Sequence, residues 1–194
     1  CNYYTTKNVN RTNAWAYDPS LSSEEQATMK RGLAGFDRGH QIPSADRLVT
    51  REANEQTFYY TNMTPQIGKG MNQNIWQKLE TAVRGWSSNI DTLYVVTGAM
   101  PTTPENTTIS YTQDNDGKQI AVPKYYFKAL CRINRATGEA YTIAFKLENK
   151  AYPNNEPYMN HTLSVAELER MTGFVFFPMI REQYKQTYDK NKWN

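Results

Sequence analysis

Between Asn74 and Trp86 the large apolar residues Trp76, Leu79, Val83 and Trp86 recur at i, i+3, i+7 and i+10, the spacing of one helix face. A helix carrying two tryptophans on one stripe must bury that stripe against another layer. Three later stretches are rich in β-branched and aromatic residues and predict strands: Thr92 to Thr97, Tyr125 to Ile133 and Ala140 to Leu147. Asn134-Arg135-Ala136-Thr137-Gly138 joins the last two as a hairpin-length loop. Gln56 to Thr61 reads as one more strand. Two Ser-x-x-Glu boxes add helix starts: Ser22 with Glu25 predicts a short helix to about Leu33, and Ser164 with Glu167 a helix stopped at Gly173. These elements predict an α+β fold, a mostly antiparallel central sheet flanked by helices. No repeat or pooled Gly/Pro linker divides the 194 residues, so residues 1–194 read as a single domain.

Composition narrows the function classes. With 39% hydrophobic and 13% aromatic residues the chain is not disordered, and no apolar run approaches the about 20 residues that span a bilayer. The 22 Lys and Arg against 19 Asp and Glu give a net +3 spread evenly, so no strongly basic face is visible in composition. The sequence begins at Cys1, which reads as a removed leader or a trimmed end. Cys1 and Cys131 permit one disulfide, while a terminal cysteine is also the lipid-bearing residue left by lipoprotein processing.

Only His40 and His161 could serve imidazole chemistry. His161 lies in a polar, Asn-rich loop and reads as structural. His40 ends Asp37-Arg38-Gly39-His40, which places a base, a cation and a permissive glycine within four residues. Downstream, Asn62-Met63-Thr64-Pro65-Gln66 precedes Asn72 through Glu80. On a straight helix Asn72 and Glu80 would stand about 12 Å apart along the axis and about 80° apart around it, so both cannot be inner ligands of one ion. Either Asn72 stands outside the helix and folds back, or Glu80 reaches the ion through water. No HExxH, CxxC or paired-His spacing suggests zinc, whereas magnesium keeps most of its waters and accepts a single protein oxygen.

These three ordered blocks, spread over about 45 residues, resemble the DNA/RNA non-specific endonucleases of the ββα-metal (His-Me finger) group, the Serratia-type nucleases. Tyr94 to Gly98, Pro123 to Lys128, Ser164 to Gly173 and Phe176-Phe177-Pro178 are similar to later family blocks, and Tyr3-Tyr4 with Ala14 to Tyr17 to its opening strands. The resemblance implies the ββα-metal fold, with a strand ending near His40, a second around Phe58 to Thr61 and the helix from Asn74. It also implies a Mg²⁺-dependent endonuclease acting on DNA and RNA through the phosphate backbone, Mn²⁺ or another divalent cation being able to substitute. The implied site is His40 as general base, Asn72 as metal ligand, Glu80 holding a metal-bound water, Arg38 on phosphate and Asn62 supporting the His40 loop or metal shell. Asp37 would brace the loop. The family's additional N-terminal arginine has two candidates, Arg11 and Arg31, neither assigned. A silent nucleic-acid-binding relative, or a phosphodiesterase on another substrate, would keep the same residues. A non-specific nuclease endangers its own genome, so export to the periplasm, cell surface or medium is expected, with Cys1 as a candidate lipid anchor.

Overall fold

The computed structural model describes residues 7–88 and 92–193; Cys1 and Tyr3-Tyr4 lie outside them. Its centre is a four-stranded antiparallel sheet of β3 (Leu93–Met100), β6 (Tyr125–Ile133), β7 (Ala140–Glu148) and β8 (Thr162–Leu163), in the order β3-β6-β7-β8. β6 and β7 fall where the apolar runs predicted them, in register from Tyr125 opposite Glu148 to Ile133 opposite Ala140. Alternation then gives the sheet two faces. Tyr126, Leu130, Ile143, Phe145 and Leu147 face helix α2 (Gln77–Ser87), whose Leu79 and Val83 join Trp76 in the core with Trp86 packed against it. Tyr125, Phe127, Ala129 and Ala144 face Val165 and Leu168 of helix α3 (Val165–Thr172). The α3 capping box forms as predicted: Ser164 Oγ accepts from Glu167 N at 3.1 Å and Ser164 N donates to Glu167 Oε2 at 2.7 Å. Gly173 closes the helix at φ 72°, the left-handed region.

Beside this sheet stands a separate hairpin, β1 (Asp37–His40) paired antiparallel with β2 (Met63–Gln66). With α2 it makes the expected β, β, α order, but the second strand is not Phe58 to Thr61. Upstream residues form helix α1 (Arg51–Gln56), because Thr50 Oγ1 accepts from Ala53 N at 3.1 Å and starts a helix there. Around residues 58–61 the only strand-like pairing among the described residues is a bridge between Tyr59 and Ala16. Proline 65 disguised the true strand, since proline is depleted in strand interiors. The hairpin is tied to the sheet by Tyr126 Oη, which donates to the Pro65 carbonyl at 3.0 Å, and by Asn149, whose Nδ2 donates to the same carbonyl at 3.0 Å.

The Ser22 to Leu33 helix does not form. Ser22 N and Oγ do reach Glu25 Oε2, at 3.1 and 2.8 Å. However, Gln26 Nε2 donates to the Leu21 and Ser22 carbonyls, the second of them the acceptor that the helix's first turn would use. Distant groups take the rest: Asp114 accepts from Thr28 N and Asn115 from Arg31 N, both at 2.7 Å. Asp114 and Asn115 sit at the tip of an unpredicted hairpin, β4 (Ser110–Gln113) with β5 (Gln119–Val122). Cys131 is a buried free thiol on β6.

Gly98 on β3 lies beneath the Phe127 ring, which occupies the space a Cβ would need. Gly98→Ala is therefore expected to destabilise the fold by about 1–3 kcal/mol through overpacking, read by urea denaturation. An unchanged midpoint would show that Phe127 can move aside freely.

Candidate active site

A cavity of about 480 Å³ opens where the hairpin meets α2, and His40, Arg38, Asp37, Asn72 and Glu80 all line it. Arg38 and His40, two apart on β1, share one strand face. Trp15 organises both, lying 3.4 Å beneath the Arg38 guanidinium and edge-on to His40 with ring centroids 5.8 Å apart. Arg38 Nη1 donates to the carbonyls of Met29 and Lys30, at 2.8 and 3.1 Å, which fixes the side chain without an acid partner for that nitrogen. His40 is wedged edge-on against Phe58, centroids 5.2 Å apart, and its Nε2 is buried with no hydrogen-bond partner in the structure. The Arg38 carbonyl holds the ring through a hydrogen bond, leaving Nε2 as an open acceptor. Burial, then the charge of Arg11, pulls the imidazole down to about 4.

Asn72 enters from the other side. Helical backbone resumes at Met71 after non-helical Lys69 and Gly70, and its first turns are wide, Asn72 N donating to the Ile67 carbonyl five residues back at 2.9 Å. Gly70, at φ 82°, turns the chain against Ala151 and Tyr152 where a Cβ would not fit. Asp37 Oδ2 accepts from Asn72 Nδ2 and Gln73 Nε2, both at 2.8 Å. Asn72's amide nitrogen is thus committed, and its oxygen is the atom left to act as a ligand.

Glu80, two turns further along α2, lines the same cavity. Desolvation pushes its carboxyl up to about 7, against the opposing pull of Lys128 and Arg84. Behind it Arg84 Nη1 donates to Asp46 Oδ1 at 3.0 Å, and Lys128 is wholly buried. Among the described residues no three His, Cys, Asp or Glu side chains gather as a metal cage. The donors present are an amide oxygen and a carboxylate, hard oxygens that fit a small divalent cation keeping most of its water.

Asn62 does not share the cavity wall with these residues. Its Oδ1 accepts from Ile42 N, and its Nδ2 donates to the Ile42 and Thr57 carbonyls, all at 2.9 Å, so it braces the loop after His40 from behind. His161 pairs with Glu156 at 2.9 Å, remote from the His40 constellation. Both N-terminal candidates, Arg11 and Arg31, line the cavity. Arg11 is the one coupled by charge to Glu80 and His40, its guanidinium 4.7 Å from the Phe58 ring centroid. Sequence reading missed Trp15, Arg84 and Lys128. Arg84 was findable four residues after Glu80 on the same helix face, and Lys128 as the one charge inside the apolar run Tyr125 to Cys131.

A two-stranded hairpin and a helix enclosing a histidine, an asparagine and arginines define a ββα-metal nuclease fold. The family model for DNA/RNA non-specific endonucleases matches residues 2–183, and the chain belongs to that family. Nuclease C1 of Cunninghamella echinulata var. echinulata is 32% identical over 163 residues, 82% of this chain and 64% of that protein. Mitochondrial endonuclease G of Homo sapiens is 30% identical over 168 residues, 84% of this chain and 56% of that protein. The crystal structure of the EndoG/EndoGI complex superposes with a TM-score of 0.75 at 25% identity, covering 95% of this chain and 77% of that chain. The chain thus spans only part of its curated relatives, from 45% of mitochondrial nuclease 1 of Schizosaccharomyces pombe to 64% of nuclease C1.

The lowered imidazole has a signed consequence for stability. Between about pH 6.5 and 4 the unfolded chain binds a proton at His40 that the folded chain does not, so this residue's contribution falls as pH drops through that window. His40→Gln should remove that loss, making the variant relatively more stable at pH 4.5 than at pH 7.5 by a few kcal/mol in urea denaturation. A variant-to-wild-type difference that does not change with pH would contradict the burial of His40.

Proposed function

We propose that this chain is a divalent-cation-dependent endonuclease that hydrolyses DNA and RNA without sequence preference and leaves 5′-phosphate ends. The observation that carries the reading is the unpartnered Nε2 of His40, held at the edge of a cavity that also presents Asn72, Glu80 and the arginines 11, 31 and 38. His40, neutral across the physiological range, accepts the proton of the attacking water at Nε2. Trp15 and the Arg38 carbonyl keep the ring from turning away. Arg38 and Arg11 donate to phosphate oxygens, a geometry the planar guanidinium suits. Asn72 through its amide oxygen, and Glu80 through a bound water, would hold the cation, Mg²⁺ being the ion these donors suit. When bound, the cation polarises the phosphate and stabilises the leaving 3′ oxygen. Contacts made to phosphate carry no sequence information, so low specificity follows.

An activity of this kind has to be kept from its own genome, which supports export to the periplasm, cell surface or medium. The mitochondrial names of several relatives fit the same need for separation. No described helix is long and apolar enough to cross a membrane.

Supercoiled plasmid and single-stranded RNA should both be cut with Mg²⁺ and spared with EDTA; intact substrates under both conditions would overturn the reading. His40→Ala, folded by circular dichroism, should lose about 10²- to 10⁴-fold in rate at unchanged Mg²⁺ dependence. Asn72→Ala should lose rate and Mg²⁺ affinity together, and Glu80→Ala a smaller, about 10- to 100-fold, share of affinity.

Arg11, Arg31 and Arg38, none of them in an ion pair within 4 Å among the described residues, also set the salt response. At about −0.9 per phosphate contact, metal-free duplex binding should show a slope near −3 in log K against log salt. A slope near −10 would place a basic groove elsewhere on the surface.

A further inference from the structure

Lys128 is the least expected residue of the core. It projects from the middle of β6 onto the α2 face of the sheet, between the positions of Tyr126 and Leu130, and is 1% exposed. A lysine is almost never buried to this extent without compensating charge. Its ammonium donates to Thr97 Oγ1 on β3 at 2.8 Å and lies over the Trp76 ring, 4.7 Å from the centroid. The charges that offset its burial are Glu80 first and Asp46 second, with Arg84 opposing. Asp46 is already bound by Arg84 at 3.0 Å, whereas Glu80 makes no ion pair within 4 Å among the described residues, so Lys128 acts on it through space from its place over the Trp76 ring.

We propose that Lys128 is a positioning residue for Glu80: its anchored ammonium attracts the carboxylate from beneath the cavity floor and fixes where it stands relative to Asn72 and His40. The inference rests on the nuclease reading for the meaning of Glu80, but its geometry is independent of it. Three contacts make the device rigid. The long lysine stem is packed in the apolar face of the sheet, Thr97 on the neighbouring strand holds the ammonium, and Trp76, one turn before Glu80 on the same helical backbone, covers it. Without that cation, the carboxylate would keep its Trp76 hydrogen bond but swing toward Arg84 or Arg11, the other cations that act on it.

A double-mutant cycle with Lys128→Met, Glu80→Gln and the pair tests this, with circular dichroism confirming the fold. If Lys128 acts through Glu80, Lys128→Met lowers kcat about 10-fold or more with KM for plasmid little changed, has less than about 2-fold effect in the Glu80→Gln background, and is partly rescued by Lys128→Arg. Equal losses in both backgrounds, or full activity of Lys128→Met, would overturn the proposal. Thr97→Ala releases the ammonium without removing it and is read in the same cycle, so the test survives a Lys128→Met protein that fails to fold. Mn²⁺ affinity by electron paramagnetic resonance supplies a second readout that needs no cleavage. There Lys128→Met should alter affinity about threefold or more with Glu80 present and leave Glu80→Gln unaltered. An inactive wild type that keeps this coupling sinks the nuclease reading alone, and an active wild type without it sinks the role of Lys128 alone.

Discussion

The carboxylate of Asp37 joins the two halves of the site. It stands on the strand that carries Arg38 and His40, and it accepts from Asn72 and Gln73 at the start of the helical segment. Gly68 lets that segment approach, because a Cβ there would meet the carboxylate at 2.8–3.0 Å. Gly39 does the same within the hairpin, where Gln66 fills the space over its Cα. The hairpin and helix are otherwise attached to the sheet separately, through Tyr126 and Asn149 on one side and the Trp76, Leu79, Val83 stripe on the other. Together with the direct chain connection from Gln66 through Ile67 to Gly68, this carboxylate ties the strand of the histidine to the helical segment of the asparagine. The order Asp-Arg-Gly-His alternates along a four-residue strand so that Arg38 and His40 share a face.

The same sheet face that packs α2 carries the charges behind the site. Burying Lys128 and pairing Arg84 with Asp46 costs desolvation that apolar side chains would not incur. The fold tolerates this because the α2 stripe and the residues flanking Lys128 on the sheet are apolar, with Trp76, Leu79, Leu130 and Phe145 withdrawn from water. Four unpaired buried polar atoms, His40 Nε2, both amide atoms of Gln66 and Gln41 Oε1, lie on or beside the hairpin, while Tyr125 Oη and the Trp193 indole nitrogen are unpaired elsewhere in the core. Such departures from full pairing gather at sites where the structure serves chemistry rather than stability.

How much of this was legible in the sequence follows from the range of the interactions involved. β6, β7, the α2 stripe and the α3 capping box depend on neighbours within one turn or one strand, and they appeared where periodicity placed them. Two of the three motif blocks bring His40, Arg38, Asn72 and Glu80 to one cavity, while the middle block, Asn62 to Gln66, does not reach its wall. What failed was decided at a distance or by a single local competitor. The Ser22 box was present, but Gln26 and the β4–β5 tip took the backbone groups its helix needed. β2 was hidden by Pro65, and Asn62 proved to be a brace whose partners are backbone groups that no motif specifies. Lys128 comes beneath α2 only after β6 and the helix have packed, and no spacing in the chain points from one residue to the other across 48 positions.

The electrostatic character of the cavity also emerges only in three dimensions. A chain with 22 basic and 19 acidic side chains shows no excess worth the name. Yet burial drives His40 and Glu80 toward their neutral forms, at about 4 and about 7, while Arg11, Arg31 and Arg38 stand on the same cavity wall. Asp37, the remaining acid on the wall, is occupied by two amide donors. The balance at neutral pH is a positive cleft in a nearly neutral molecule, and its low-dielectric walls concentrate that field on whatever anion enters. The charge balance of the cleft thus comes from burying one base and one acid rather than from a basic surface. The same burial keeps the His40 imidazole unprotonated above about pH 4.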